Sequence, residues 1–172
     1  MLSLPLPFCL RAIGAADQDF IDTLYRSTRD DLTAMAVDQT VLTQLIRMQQ
    51  HAQVQGLRSA FPQAQHFLIE RDGDAVGRLV VNILGGQVHL VDLAICPAAR
   101  NLGAGSVVLH ALQTLAGQRG EPLTLSISLA NPAARRLYAR LGFVVTGANA
   151  LQERMQWLAN ENTTQTLSKH SC

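Results

Sequence analysis

The sequence predicts an α/β protein with one mixed sheet, in which an antiparallel meander is followed by a βαβ crossover and helices cover both faces. Three features of the chain lead to this prediction. The turn sequences Asp72-Gly73-Asp74 and Gly85-Gly86 follow closely on one another, which is typical of three consecutive antiparallel strands. Residues 100–105 then form a glycine-containing turn between an apolar strand and a helix. After the next strand, Asn131-Pro132 opens another helix.

The N-terminal third is predicted to supply one strand and two helices. Phe8–Ile13 has the composition of a short strand. Asp17 is a candidate N-cap for the first helix, and Asp38 for a second helix that ends before Phe61-Pro62. Apolar residues at helical spacing are expected to form the inner sides of these helices: Phe20, Ile21, Leu24 and Tyr25 in the first, and Val41, Leu42, Leu45, Ile46 and Met48 in the second.

The meander and the crossover occupy the remaining two thirds. The meander strands are predicted at His66–Glu70, Ala75–Ile83 and Gln87–Ile95. The crossover helix, Ser106–Gln118, ends near Gly120, and its expected inner side consists of Val107, Val108, Ala111, Leu112 and Leu115. Leu123–Leu129 is apolar or small throughout, which indicates a buried central strand. The last helix is expected to end at Gly142, and two closing strands are predicted at Val144-Val145 and Glu153–Leu158.

Composition and charge narrow the class of protein. A chain of 172 residues with 48% hydrophobic residues fits one folded domain, predicted over residues 1–158, with a mobile tail at 159–172. The net charge of +1 indicates neither a nucleic-acid nor a membrane partner. Cys9, Cys96 and Cys172 lack metal-ligand spacing, so no metal is expected and a reducing, cytoplasmic location is predicted. No apolar run reaches the roughly 20 residues that span a bilayer.

Two motifs in this order resemble the GNAT family of N-acetyltransferases. Arg100-Asn101-Leu102-Gly103-Ala104-Gly105 is similar to the family's cofactor signature, in which Gln or Arg precedes two variable residues, Gly, one variable residue, and Gly or Ala. The segment Asn131–Phe143, with Tyr138 before Leu141-Gly142-Phe143, is similar to the family's downstream pattern. The resemblance covers Phe8–Leu158. Ser27–Leu32 and Phe61-Pro62 add a similarity to a bacterial subgroup, and Asn101 replaces a glycine that many members have.

The resemblance implies that acetyl-CoA is the co-substrate. The N–H groups of the glycine turn would hold its pyrophosphate, and Arg100 would lie beside it. The strand Asp92–Ile95 would pair with the pantetheine arm, and a bulge there would aim the N–H of Ala94 or Ile95 at the thioester carbonyl. The cofactor-binding residues are thus expected to be Leu93, Ala94, Ile95, Arg100, Asn101, Leu102, Gly103, Ala104, Gly105, Ser106, Asn131 and Tyr138.

The catalytic residues are expected to be Tyr138 and Asp92. The resemblance implies that Tyr138 would protonate the departing CoA thiolate. Asp92 is the candidate general base, because a carboxylate in an apolar strand needs a reason to be there; a salt bridge or a capping contact is an equally good reason. By strand alternation His89 is expected on the opposite face, as a half-buried strand residue, although it or a water molecule remains an alternative base. Cys96 is interpreted as a packed residue and not as a nucleophile.

The family resemblance implies direct transfer of an acetyl group to a primary amine, of a small molecule or of a peptide. The alternative is a non-catalytic module that binds or senses acyl-CoA with the same fold. Asp30, Asp31 and Asp38 would attract a cationic amine, or would only cap helices and face solvent. Leu57, Phe61 and Trp157 would line an apolar pocket or complete the core. The resemblance also allows a homodimer, for which the sequence indicates no interface.

Two other nucleotide-binding classes do not fit the glycine turn. A dinucleotide-binding motif would have a third glycine where Val108 stands, and an acidic residue where Leu129-Ala130 ends the next strand. A P-loop would require Gly-Lys-Ser or Gly-Lys-Thr, which the chain lacks.

Overall fold

The computed structural model describes residues 2–29 and 38–159 as seven strands and four α-helices. Asp30, Asp31 and residues 160–172 of the predicted tail lie outside the described residues. The strands are β1 (Phe8–Ala12), β2 (Gln65–Arg71), β3 (Asp74–Ile83), β4 (Val88–Ile95), β5 (Leu123–Ser128), β6 (Val144–Ala148) and β7 (Gln152–Trp157). The helices are α1 (Gln18–Arg26), α2 (Gln39–Ala60), α3 (Ala104–Arg119) and α4 (Pro132–Arg140).

The strands form one mixed sheet in the order β1-β2-β3-β4-β5-β7-β6. From β1 to β4 every neighbouring pair is antiparallel. The pair β4–β5 is parallel and is connected through α3, whereas β7 lies between β5 and β6 and is antiparallel to both. This topology confirms the predicted meander followed by a crossover.

Local signals account for most of the element boundaries. Asp72 and Gly73 have φ values of 54° and 91°, as a tight two-residue hairpin requires. The Asp38 carboxylate accepts a hydrogen bond from the Thr40 N–H at 2.7 Å and so caps α2. Asp17 directly precedes α1, as predicted, but its side chain does not cap the helix. Its carboxylate accepts hydrogen bonds from the Gly14 N–H and from Arg11 instead.

The two faces of the sheet differ in chemistry. Apolar side chains of the central strands, including Leu79, Val81, Leu90 and Leu125, form one buried cluster with Val108 and other residues of α3; we call this side the α3 face. The opposite side, which carries Arg78, Val80, His89 and Thr124, is called the α2 face, because Phe61 at the end of α2 stacks on His89 with ring centroids 5.2 Å apart. Polar strand residues therefore concentrate on the α2 face.

Three packing predictions were wrong in detail. Val41 and Met48 on α2 are 54% and 64% exposed, since only Leu42 and Ile46 of that helix are buried. The buried side of α3 includes Leu109, Gln113 and Ala116, which were not part of the predicted inner side. Val107, Ala111 and Leu115, which were part of it, are only half-buried. Strand β5 is not buried throughout: Leu123, Leu125 and Ile127 are buried, but Ser126 and Ser128 are exposed. Its α2 face is therefore open.

Candidate active site

A cleft opens where β4 and β5 separate. The two strands pair only from Val88 to Leu90 on β4 and from Leu123 to Leu125 on β5. Beyond these residues a cavity of about 180 Å³ lies between the strands. It is lined by Leu90, Val91, Asp92, Leu93, Leu125, Ser126, Ile127, Ser128, Asn131, Ala134 and Tyr138. The structure thus brings Asp92, Leu93, Asn131 and Tyr138, predicted from separate segments, into one cleft.

A β-bulge at Val91 decides which side chains face the α2 side of this cleft. Val81 pairs with Leu90 and Val80 pairs with Asp92, so Val91 is an extra residue in β4. His89 lies opposite Asn82, and Asn82 and Val80 share a face. His89 and Asp92 therefore lie on the same face, which corrects the prediction that they lie on opposite faces. The bulge also comes before the predicted segment Asp92–Ile95.

The edge of β4 that borders the cleft presents backbone N–H groups. The Cys96 N–H donates to the Val76 carbonyl of β3 at 2.9 Å. Because N–H directions alternate along a strand, the N–H of Ala94 also points toward β3, and those of Leu93 and Ile95 point toward the open edge. Of the two predicted oxyanion donors, this alternation favours Ile95 over Ala94.

Asp92 is held by a salt bridge with Arg78. The Arg78 Nε and Nη2 atoms both donate to Asp92 Oδ2, at 3.0 and 2.7 Å. The side chains are 11% exposed for Arg78 and 22% for Asp92, so the pair is well shielded from solvent. Among the described residues no further hydrogen-bond partner reaches the carboxylate, which leaves Oδ1 open to the cleft. The salt-bridge interpretation of Asp92 is thus confirmed, while its role as a base stays a prediction.

Tyr138 reaches the cleft from α4. Burial, and to a lesser degree the negative charge of Asp92, raises the pKa of Tyr138 to about 12. The ring packs against Phe143 with centroids 5.6 Å apart. Gln113 of α3 donates to the Leu141 carbonyl at 2.7 Å and anchors the end of the helix that carries the tyrosine. Tyr138 is therefore a neutral hydrogen-bond donor over the whole physiological pH range.

The glycine turn has the backbone conformation that its sequence requires. Gly103 has φ +86°, directly before the first residue of α3, and Asn101 has φ +62°. Asparagine tolerates this left-handed region better than most residues, which explains why it can replace a glycine there. The first helical bond runs from the Val107 N–H to the Gly103 carbonyl. The N–H groups of Ala104, Gly105 and Ser106 therefore lack helical partners and are available to an anion.

Two predicted cofactor ligands make structural contacts. Arg100 Nε donates to the Ile95 carbonyl at 3.2 Å, and its Nη2 donates to the Ser27 carbonyl at 3.4 Å. The guanidinium thus links the end of β4 to the end of α1. Asn131 Oδ1 accepts from the Ala134 N–H at 3.1 Å and caps α4, so only its amide NH₂ remains for a ligand.

His89 belongs to a polar chain that the sequence did not reveal. Its Nδ1 lies 2.8 Å from Thr124 Oγ1, which donates to Gln87 Oε1 at 3.0 Å. When Thr124 donates to Gln87, its oxygen accepts from Nδ1, and Nε2 is the unprotonated nitrogen. Burial lowers the pKa of His89 from its usual 6.5, so the ring is neutral at pH 7. These hydrogen bonds connect β4, β5 and the turn before β4. No local sequence pattern predicts them.

The other reactive side chains of the described residues form no second centre. Cys96 is half-buried, and burial raises the pKa of its thiol above 9.0, which disfavours the thiolate that a nucleophile needs. His110 contacts Gln113 Oε1 at 3.1 Å on α3. Within residues 2–29 and 38–159 no group of three His, Cys, Asp or Glu side chains is arranged to hold a metal ion. In the same residues, no helix combines the length and apolar character needed to cross a membrane.

Comparison with known proteins identifies the family. The model of the acetyltransferase (GNAT) family matches residues 24–143, and the chain belongs to this family. An uncharacterised N-acetyltransferase of Methanocaldococcus jannaschii is 29% identical over 90 residues, which are 51% of this chain and 57% of the relative. The match thus spans little more than half of the relative's length. Similarity to the bacterial subgroup stays a prediction.

Solved structures show the same fold. PaiA N-acetyltransferase from Thermoplasma acidophilum, crystallised with coenzyme A, aligns with a TM-score of 0.65 and 15% identity over 88% of this chain and 99% of that one. An acetyltransferase from Salmonella typhimurium that modifies the N-terminal serine of ribosomal protein L7/L12 aligns with a TM-score of 0.64 and 15% identity, over 92% and 99%. At this identity the likeness concerns the fold alone.

Proposed function

We propose that this protein is an N-acetyltransferase that moves an acetyl group from acetyl-CoA to a primary amine by direct attack. The observation that carries the proposal is the cleft between β4 and β5, which has free backbone N–H groups at one edge and Tyr138 on its wall. Membership in the GNAT family supports the reaction class. The coenzyme A bound to the PaiA relative supports the choice of co-substrate.

The glycine turn suits the pyrophosphate of acetyl-CoA. The free N–H groups of Ala104, Gly105 and Ser106 and the positive end of the α3 dipole favour an anion there. A Cβ built on Gly103 would meet no atom within 4 Å, and one on Gly105 would meet only Leu137 Cδ2 at 3.6 Å. The space above both glycines is therefore open, as a backbone cradle for phosphate requires.

In the proposed transfer the amine nitrogen forms a bond to the thioester carbonyl carbon, and the carbon–sulfur bond breaks. The N–H groups of Leu93 and Ile95 lie on the edge where they would stabilise the carbonyl oxygen as it becomes negative. Tyr138, neutral because its pKa is about 12, would donate a hydrogen bond to the departing thiolate. No enzyme nucleophile takes part.

Two side chains on the α2 face are candidate acceptors for the proton that the amine loses. Asp92 offers Oδ1, since Oδ2 is engaged by Arg78. His89 offers a neutral imidazole on the same face, directly or through a water molecule. We keep Asp92 as the proposed base, with His89 as the alternative, because Asp92 itself lines the cleft.

The competing proposal is a non-catalytic module that binds or senses acyl-CoA. Both proposals require acetyl-CoA binding, so calorimetric titration with acetyl-CoA, with NAD and ATP as controls, comes first. Selective binding followed by release of CoA thiol in the presence of an amine supports the enzyme. Binding without turnover of any amine supports the sensing module, and absence of acetyl-CoA binding by the folded protein contradicts the acetyltransferase and leaves a module for another acyl-CoA.

A further inference from the structure

We propose that the acceptor is a small amine that also carries a carboxylate, and that Arg154 and Arg58 on the α2 face recognise this carboxylate. The inference rests on the proposed transferase function and names the substrate class of the same cleft. The basis of this inference is the positive charge of these two guanidinium groups, neither of which has an acidic partner among the described residues.

The strands around the cleft carry few charges on the α2 face. Along β3, β4, β5 and β7, the charged side chains on this face are Arg78, Asp92 and Arg154. Arg78 and Asp92 neutralise each other in their salt bridge. Within the described part of the chain, the Arg154 guanidinium has no acidic partner. The strands therefore leave one positive charge uncompensated.

Arg154 lies next to the cleft. It pairs with Ser126 across β5 and β7, and Ser126 lines the cavity. Directly opposite residues of antiparallel strands have Cβ atoms about 5 Å apart. In the structure the guanidinium lies over Gly147 of β6, on the side of β7 away from β5, where an added Cβ would lie 2.9 Å from Arg154 Nη2. A rotation of this long, exposed side chain about its own bonds would bring the guanidinium toward the cleft.

A second arginine approaches from α2. Arg58 lies in the last turn of that helix, three residues before Phe61, which stacks on His89. Burial first, and then the charges of Arg78 and Arg58, lower the pKa of His66, a neighbouring residue of the α2 face, whereas the charge of Asp92 raises it. Arg58 is exposed and has no ion-pair partner among the described residues. Arg58 therefore adds a positive charge to this end of the face.

Helix α2 brings no negative side chain to the cleft. Its 22 residues, QTVLTQLIRMQQHAQVQGLRSA, contain no Asp or Glu. Asp38, considered from the sequence as a site for a cationic amine, caps the opposite end of the helix, about 35 Å from Phe61 at 1.5 Å per residue. This distance exceeds the screening length of roughly 8 Å at physiological salt, so Asp38 does not attract an amine to the cleft.

Positive charge near the cleft favours an acceptor that carries both an amine and a carboxylate, for two reasons. Guanidinium groups bind carboxylates through charge-assisted hydrogen bonds. The same positive charges lower the pKa of an incoming ammonium group and so favour the uncharged amine that attacks the thioester.

The test compares matched acceptors that differ only in charge. The wild-type protein is assayed with acetyl-CoA and each of the common amino acids, β-alanine and γ-aminobutyrate, each beside its carboxamide, together with putrescine and spermidine. Thiol release is measured and the product mass is verified. We expect the best acceptor to be a carboxylate whose kcat/KM exceeds that of its amide at least about tenfold, the effect of one charged hydrogen bond.

Arginine variants test whether Arg154 and Arg58 cause the preference for carboxylates over amides. Arg154→Gln and Arg58→Gln should each shrink the carboxylate-to-amide ratio severalfold, and Arg154→Lys should restore part of it. Arg47→Gln, an exposed arginine eleven residues before Arg58 on the same helix, should leave the ratio unchanged. Thermal melts verify that each variant is folded.

Several results would overturn the inference. One is higher activity with amides, diamines or a peptide N-terminus. Another is a loss in Arg154→Gln that appears in acetyl-CoA affinity and not in the acceptor ratio. If acetyl-CoA binds and only amines without a carboxylate are acetylated, the acceptor class is wrong and the proposed function stands; if acetyl-CoA binds and no amine is acetylated, both are wrong and the sensing module is supported. If the wild-type protein binds no acetyl-CoA, the proposed function itself is wrong.

Discussion

Gly105→Leu separates the binding role of the glycine turn from its role in folding; alanine would not, because the cofactor signature accepts Gly or Ala at this position. Gly105 is the second residue of α3 and has no positive φ, so leucine can adopt its backbone conformation. The added Cβ would meet only Leu137 Cδ2, at 3.6 Å, which is an ordinary contact. Leucine is favoured over glycine in a helix by up to about 1 kcal/mol. The variant should therefore be as stable as the wild type or slightly more stable.

The leucine side chain at position 105 would occupy the open space where the pyrophosphate is proposed to bind. Moving the phosphate away from one N–H loses a charge-assisted hydrogen bond, worth about 1.5–3 kcal/mol. The dissociation constant of acetyl-CoA should rise about tenfold or more. The melting temperature should stay level or rise by up to about 4 °C for a protein of this size.

Calorimetric titration and a thermal melt of the same preparation measure both effects. Gly103→Ala is the matched contrast, because φ +86° costs an L-residue about 1–2 kcal/mol and should lower the melting temperature. Wild-type affinity in a stable Gly105→Leu variant would refute the proposed path of the pyrophosphate. A marked drop in its melting temperature would refute the packing argument.

Three further outcomes are expected. Arg78→Met, which leaves Asp92 without its partner, should lower the free energy of unfolding by about 2–3 kcal/mol in urea titrations, since both side chains are largely shielded. Tyr138→Phe should lower kcat for acetyl transfer at least about tenfold at unchanged acetyl-CoA affinity. Burial lowers the pKa values of His89 and His66, so the unfolded chain binds more protons below pH 6.5 and stability should fall as the pH drops from 7.5 to 5.

Each of these has a control. Replacing Asp92 by Asn in the Arg78→Met background removes the uncompensated charge and should restore part of the stability; if it does not, the salt bridge is not the cause. A Tyr138→Phe enzyme with wild-type kcat would exclude the leaving-group role. His89→Gln should flatten the pH dependence of stability, and an unchanged slope would show that His89 does not contribute to it.

Local signals in the sequence predicted most element boundaries. Asp72-Gly73, Gly103 and Gly142 have positive φ, and glycine or Asp is what such positions favour. Asp38 and Asn131 cap the helices that follow them, because an N-cap needs only an acceptor two or three residues upstream of a free N–H. These interactions connect near neighbours, so they can be read from the chain.

The sequence predicted which segments contribute to the candidate site, but not how their side chains are arranged in space. No residue type marks the bulge at Val91, yet that one extra residue places His89 and Asp92 on the same face. Arg78 and Asp92 are fourteen residues apart and meet only through the register of β3 and β4. The periodicity of α2 predicted Val41 and Met48 as buried, but periodicity cannot tell how much of a helix its neighbours cover.

The sequence by itself determined the order of strands and helices, the glycine turn and the capped helix that carries Tyr138, because turns, caps and motifs depend on residues close together in the chain. Only the tertiary structure decided where β4 and β5 separate, that Arg78 engages Asp92, and that Arg154 stands beside the cleft. These features depend on strand register, which is set by packing among residues far apart in sequence.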